Sequence, residues 1–388
     1  MASSVPAINE KMVKELNPVF QTSGTTGVIN HLEKKLKCFQ NTAVDIAVTG
    51  ESGTGKSSLI NALLAVLDTD QSAAPVDVKE TTLRPVAYKH KKFPNVVFWD
   101  LPGIGTLNFP ACDYLERLGI LRFDFFLICG IRFTENDAAL AKVILIAGKK
   151  FFFVRMKVDT DIEYYKRLGR QEETALEVIQ KDCADKLEAV GMHSSGLFLV
   201  SSWFPHKYDF ARLYETLQNE LPKVKRQAFL LTLSNIACSI IEIKVRYLKR
   251  RVWRAALLSC LGSAVPLPLV SVICNAKILA REVDFYYQQL GLDDDSLSYL
   301  ASRYQKPLYS LKGELHHRYM VTEDDLVERM ASVAGEKRVV AYTVLSCLPF
   351  LGSVPSVALS FEIVSRMLHQ LLDELEEDSK RVLKSAVS

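Results

Sequence analysis

A mostly parallel α/β layer joined to an all-α region is the fold class this chain of 388 residues predicts, and three observations carry it. Between Val44 and Pro222, apolar runs rich in Val, Ile and Phe (VDIAVTG, TLRPVAY, NVVFWD, DFFLICG, FFFVRMK, LFLVSS) alternate with helical stretches. Beyond Pro222 such runs stop, and nearly everything to Ser388 has helical period or a helical charge face. A glycine-rich loop stands between the first run and the helix that follows it. Continuous apolarity marks strands covered on both sides by helices, the condition of a parallel sheet.

The division expected is an N-terminal helical segment over 1–42, an α/β domain over 43–222 and a helical domain over 223–388. In the first, Ile29, Leu32, Leu36 and Phe39 recur at helical spacing after a polar stretch around Gly24 and Gly27, which predicts one short helix. Lys+Arg 48 against Asp+Glu 45 leaves a formal charge of +3, too balanced for nucleic acid to be a partner. The 8 cysteines show no CxxC and no His-paired spacing, so they read as reduced thiols of a cytoplasmic chain. The histidines form no ligand set, and the only metal expected is Mg²⁺.

Gly50-Glu51-Ser52-Gly53-Thr54-Gly55-Lys56-Ser57 has the form G-x-x-x-x-G-K-[ST] between a strand and a helix. Gly50, Gly53 and Gly55 let backbone amides turn inward around phosphates. Thr54 and Ser58 lie in the same cradle, and the new helix adds its positive end. Lys56 is expected to reach the β- and γ-phosphates, and Ser57 to give its hydroxyl to Mg²⁺. Asp100-Leu101-Pro102-Gly103 follows the next long apolar run; Asp100 is placed to hold Mg²⁺ through water, and Gly103 to offer its amide to the γ-phosphate.

Base choice falls to Lys157 and Asp159 after FFFVRM. A carboxylate accepts two hydrogen bonds, and guanine presents two adjacent donors where adenine presents an acceptor, so GTP and GDP are the expected nucleotides. Ser201 and Ser202, after LFLV, are expected to close the pocket. Met156 stands where a polar brace is usual.

GESGTGKSSLINAL, ETT at 80 to 82, NVVFWDLPGIGT, MKVDTD and YDF at 208 to 210 together resemble the immunity-related GTPases, an interferon-inducible, dynamin-like group, in the subclass with Lys in the P-loop. The resemblance covers most of the chain. It implies a Ras-like GTPase domain between a small N-terminal helical piece and a C-terminal helical domain, with the two helical parts forming one unit. It also implies slow basal turnover, homo-oligomerisation on GTP, hydrolysis on assembly, and recruitment to intracellular membranes, including vacuoles that hold pathogens. The Ile at 104 cannot orient water, so the resemblance assigns catalysis to Lys56 and Glu80, with Thr82 on Mg²⁺ and Thr81 as the competing ligand. A nucleotide-gated scaffold with little hydrolysis, or a germ-line or membrane-traffic member of the same group, is the alternative.

Ala255 to Ala276 and Val339 to Phe361 contain no charge, but each is broken by Pro and Gly, against a spanning helix. Either they pack as the core of the helical domain, or their tips enter a bilayer. Residues 223 to 254 hold nine Lys/Arg against one acid, Glu242, beside Trp253, a composition suited to anionic headgroups. The resemblance favours peripheral association with an intracellular membrane. The acidic run from Asp373 to Asp378 reads as a solvated helix face.

Overall fold

The computed structural model describes residues 5–76, 84–102, 119–189, 191, 196–261, 265–266, 273–317, 322–336 and 355–388. It divides into two compact units, one of residues 39–240 and one of residues 1–38 with 241–386.

The first unit is built on six strands: β1 (Val44–Thr49), β2 (Val86–Lys89), β3 (Val96–Asp100), β4 (Phe125–Gly130), β5 (Lys150–Arg155) and β6 (Leu197–Leu199). Their order is β2-β3-β1-β4-β5-β6, parallel except for β2, which runs antiparallel to β3. All six residues of β4 are buried, as are five of β5, which is why these runs lack polar alternation. Aromatic rings fill the space between sheet and helices: Phe126, Phe151 and Phe153 are buried, and Phe133 meets Phe153 edge-on at 4.9 Å.

The helices of this unit are α2 (Lys56–Leu64), α3 (Glu135–Ile146), α4 (Val158–Arg167), α5 (Glu172–Glu188), α6 (Phe210–Glu220) and α7 (Lys223–Thr232). Thr134 starts α3 through a capping box with Asp137. The unit extends past residue 222: α7 packs on β1 and β3, with Ala228 and Phe229 buried.

The second unit is helical, and both ends of the chain contribute. The N-terminal helix is longer than the short one its apolar spacing predicts: α1 runs Val5–Lys37, broken only at Gly24, whose φ is 61 and ψ −162. Met12, Leu16, Val28 and Leu32 are buried, and Glu15 ties the helix to Arg254 at 2.8 Å. The remaining helices are α8 (Cys238–Leu261), α9 (Ala276–Gln289), α10 (Asp294–Arg303), α11 (Leu308–Gly313), α12 (Glu323–Glu336) and α13 (Pro355–Val387). Val364, Leu368, Leu372 and Leu375 of α13 form a buried stripe at helical spacing.

Two surface expectations are narrowed here. The basic run is partly internal: Trp253 is 4% exposed, and Lys244 is buried with its ammonium on the Gln289 carbonyl at 2.9 Å. Arg251 is buried and donates to both oxygens of Glu282 at 2.8 and 2.9 Å, its guanidinium 4.4 Å from the Phe285 ring centre. Lys249 pairs with Asp373, Arg254 with Glu15, and Lys225 with Asp124. Four of the nine cations named for this run therefore serve tertiary ion pairs, whereas Lys223, Arg246 and Arg250 are exposed. The acidic run is not wholly solvated either, since Asp378 is fully buried and accepts from the His317 amide at 3.2 Å and from Arg381.

Of the first apolar segment, Ala255 to Leu258 and Cys260 are buried on α8, and Val265-Pro266 pairs antiparallel with Ile273-Cys274. Residues 337–354, most of the second, lie outside the described residues. No helix among the described residues is long and apolar enough to cross a membrane.

Candidate nucleotide site

Every described residue expected in the site stands at the carboxyl edge of the sheet. The glycine loop follows β1, Asp100 ends β3, Lys157 and Asp159 follow β5, and Ser201 and Ser202 follow β6. Pairing of Val48 with Asp100 and of Thr49 with Ile128 brings the ends of three strands level beneath the loop. The loop also sits where the strand order reverses, the usual crevice of an open α/β sheet.

Local chemistry explains the loop's path. A Cβ on Gly50, whose φ is +130, would lie 2.0 Å from the Cys129 carbonyl oxygen, so only glycine passes there. Gly55 caps α2 in the left-handed region at φ 101. The helix's first internal bond is Leu59 N–H to Gly55 at 2.9 Å, leaving the preceding amides as anion donors. Lys56 is buried, and its ammonium folds back onto the carbonyls of Gly50 and Glu51 at 3.2 and 3.0 Å. Thr54 closes the loop from within, its hydroxyl donating to Glu51 O at 2.9 Å.

Ser57 Oγ donates to Asp100 Oδ2 at 2.9 Å. A hydroxyl and a carboxylate converging beside an anion cradle form the hard-oxygen donor set that Mg²⁺ takes alongside phosphate oxygens, so these residues fit the ion. Among the described residues no cluster of three or more His, Cys, Asp or Glu gathers as an alternative metal site. Glu80, Thr81, Thr82, Gly103 and the Ile at 104 lie outside the described residues.

At the base end, Lys157 caps α4 with φ 58, and its ammonium donates to Gly53 O at 2.9 Å, tying the base-reading segment to the phosphate loop. Asp159 sits in the first turn of α4, where its Oδ1 is buried without a hydrogen-bond partner; Ser202 Oγ is likewise buried and unpartnered. Buried polar atoms are rarely left so, and these two stand at the base end of the site. Ser201 Oγ accepts from the amides of Trp203 and Phe204 at 3.2 and 3.3 Å, which shapes the turn after β6.

Three supports escape motif reasoning. Met156 is buried, and a Cβ on Gly55 would lie 3.5 Å from its methyl, so an apolar floor stands under the loop where a polar brace is usual. Arg155, also buried, donates to Met156 O and pairs with Asp161, fixing the strand-to-helix turn. Glu51 of the loop accepts from Thr134 Oγ1 at 3.1 Å and from Asn136 at 3.4 Å, fastening the loop to the start of α3. No motif spacing flags these contacts: those of Met156 and Glu51 join segments distant in sequence, and that of Arg155 belongs to no motif.

Asp137 lies at the same helix start. Burial raises its carboxyl from an ordinary 3.8 to about 6, with the charge of Glu51 adding and the Thr134 hydrogen bonds opposing. Between those values the folded chain holds a proton that the unfolded chain has released. Stability therefore falls as pH rises through that interval and levels off above it. Asp137→Asn, which keeps the capping oxygen, is expected to flatten this slope. Melting temperature followed from about pH 4 to 7 checks it; a variant with the wild-type slope would assign the slope to another group.

Strand order and loop geometry together define a P-loop nucleotide-hydrolase domain carrying a separate helical unit. The chain belongs to the interferon-inducible GTPase family: the family model described as "Interferon-inducible GTPase (IIGP)" matches residues 9–386. It is 35% identical over 395 residues to "Interferon-inducible GTPase 5" of Rattus norvegicus, across 98% of this chain and 85% of that protein. It is 33% identical over 355 residues to "Interferon-inducible GTPase 1" of Mus musculus, across 90% and 84% of the respective lengths. Among solved structures it is similar to "LeoA bacterial dynamin GTPase from ETEC", with a TM-score of 0.35 and 14% identity over 99% of this chain and 91% of that one. By family the chain is a GTP hydrolase.

Proposed function

We propose that this GTPase binds GTP with Mg²⁺ in the site described, homo-oligomerises through its GTPase units, hydrolyses GTP on assembly, and acts at intracellular membranes, including pathogen-containing vacuoles, in cell-autonomous defence. The observation that carries the nucleotide part is the pairing of a lysine-closed amide cradle with a base-end carboxylate whose Oδ1 is buried and unpartnered. Lys56 and the first amides of α2 hold the phosphates and meet the charge that grows on them as the γ-phosphoryl group leaves. Ser57 and Asp100 would hold Mg²⁺, which would supply positive charge to offset that of the phosphates. Asp159 receives the two guanine donors, with Ser201 and Ser202 closing the pocket.

The water must be positioned by a group other than residue 104, and assembly brings that group to bear. An Ile at 104 orients no water, and Glu80 with Thr82 takes the catalytic and metal-side roles when two GTPase faces meet. Turnover per molecule is therefore expected to rise with protein concentration, and to rise further with anionic liposomes. Glu80→Ala keeps GTP binding and loses the rise. Flat, slow turnover at every concentration would sink the assembly mechanism and favour the nucleotide-gated scaffold, a reading to which the apolar Met156 floor also lends itself. Within residues 223–254, membrane recruitment in this proposal draws on the exposed Lys223, Arg246 and Arg250 and not on Trp253 or Arg251, which are buried.

A further inference from the structure

Among the described residues, four non-glycine positions adopt a left-handed backbone: Ala65, Lys157, Tyr208 and Gln305. Ala65 and Gln305 follow the ends of α2 and α10, the ordinary place for that conformation. Lys157 and Tyr208 instead stand before helices, α4 and α6, and both flank the base pocket. Side-chain-bearing residues disfavour this region, and where they are held there the surroundings over-determine them, often at functional sites.

What holds Tyr208, at φ 56, is visible. Its neighbour Asp209 is stitched to β6 twice: the Asp209 amide donates to Leu199 O at 2.9 Å, and the Leu199 amide donates to Asp209 Oδ2 at 2.9 Å. Arg212 fixes the same carboxylate at 2.7 Å and reaches Leu197 O at 2.6 Å. On the other side of this strand end, the Val158 amide reaches Val200 O at 3.4 Å, so the start of α4 and the Tyr208 turn share one support. Tyr208 packs against the core cluster that includes Val158, immediately before Asp159, and Ile162, one helical turn further along α4. Burial pushes its phenol up to about 12, with the charges of Glu172 and Asp159 adding to the effect, so the hydroxyl stays neutral beside two carboxylates.

We propose that Tyr208 is a specificity-determining positioning residue of the base pocket: the Asp209 clamp holds its backbone left-handed, and the ring so placed fixes the first turn of α4, and with it the angle at which Asp159 meets the base. The inference rests on the reading of Asp159 as the guanine selector. It gives the tyrosine of the Tyr-Asp-Phe motif a task, that of aligning a carboxylate with two donors at once.

The test compares GTP with inosine triphosphate, which lacks the 2-amino donor, on the full chain. Both share the loop, the ribose and the phosphates, so the ratio of their dissociation constants is insensitive to any loss of folded protein. Wild type is expected to prefer GTP by about tenfold, the worth of one hydrogen bond to a charged group. Tyr208→Gly, which suits the left-handed backbone but lacks the ring, is expected to bring the ratio to within about twofold of unity while inosine triphosphate affinity holds. Tyr208→Phe keeps the wild-type ratio. A Tyr208→Gly variant as selective as wild type, one that loses both nucleotides equally, or a Tyr208→Phe variant that falls as far as the glycine one would each overturn the assignment. A wild type indifferent to the 2-amino group would overturn the guanine reading itself, and the role of Tyr208 with it.

Discussion

Lys56→Ala is expected to weaken GTP binding by about a thousandfold, roughly 4 kcal/mol, the range found when one partner of a buried charged pair is removed. Lys56 is 8% exposed, and its ammonium is already inside the loop, on the carbonyls of Gly50 and Glu51. It needs only to turn from two carbonyls to two phosphates, so most of its ordering is complete before nucleotide arrives. Alanine removes the charge and also the two bonds that hold the loop's entry against its exit. The fold should survive, because Leu59, Ile60 and Leu63 of α2 remain buried against the sheet. Arginine is not a substitute, since a planar fork does not occupy the space of a compact ammonium. Titration calorimetry with GTP on a variant of unchanged circular dichroism checks this. Affinity within about tenfold of wild type would mean that the amides alone capture the phosphates.

Residues that form the site's frame are legible in the chain because their constraints are local. A buried parallel strand needs continuous apolarity, and the loop after β1 needs glycine where a Cβ would meet the Cys129 carbonyl, so both leave marks within a few residues. The helical unit is less legible because its determinants are paired at long range. Glu15 on α1 is explained by Arg254, and no periodicity near residue 15 announces that partner. Pro18 and the polar stretch around Gly24 hide a helical segment that the ion pair of Glu15 with Arg254 of α8 helps to hold. That part of the basic run is internal is hidden for the same reason: Glu282 and Asp373, which absorb Arg251 and Lys249, come much later in the chain. Met156 shows a third kind of limit. Its departure from the family pattern is plain in the sequence, but that it becomes an apolar floor under Gly55 follows only from where β5 ends relative to the loop.

Asp159→Asn is expected to reverse the base preference, weakening GTP by about a hundredfold and admitting xanthosine triphosphate. The reason lies in donor and acceptor direction. Asp159 presents only acceptors, and its buried, unpartnered Oδ1 gains a partner when guanine's N1–H and 2-amino group arrive. Asparagine keeps the shape but turns one acceptor into a donor, which opposes the 2-amino group and matches the carbonyl that xanthine carries there. Lys157, bonded to Gly53 O at 2.9 Å, still ties this segment to the loop, so the phosphate contacts should be unaffected. Loss of GTP with gain of xanthosine triphosphate therefore separates a change of base reading from general damage, which would weaken both. Displacement of a fluorescent guanine nucleotide by each triphosphate measures it. A variant that still prefers GTP would remove Asp159 as the selector and move base recognition to Ser201, Ser202 and the backbone around them.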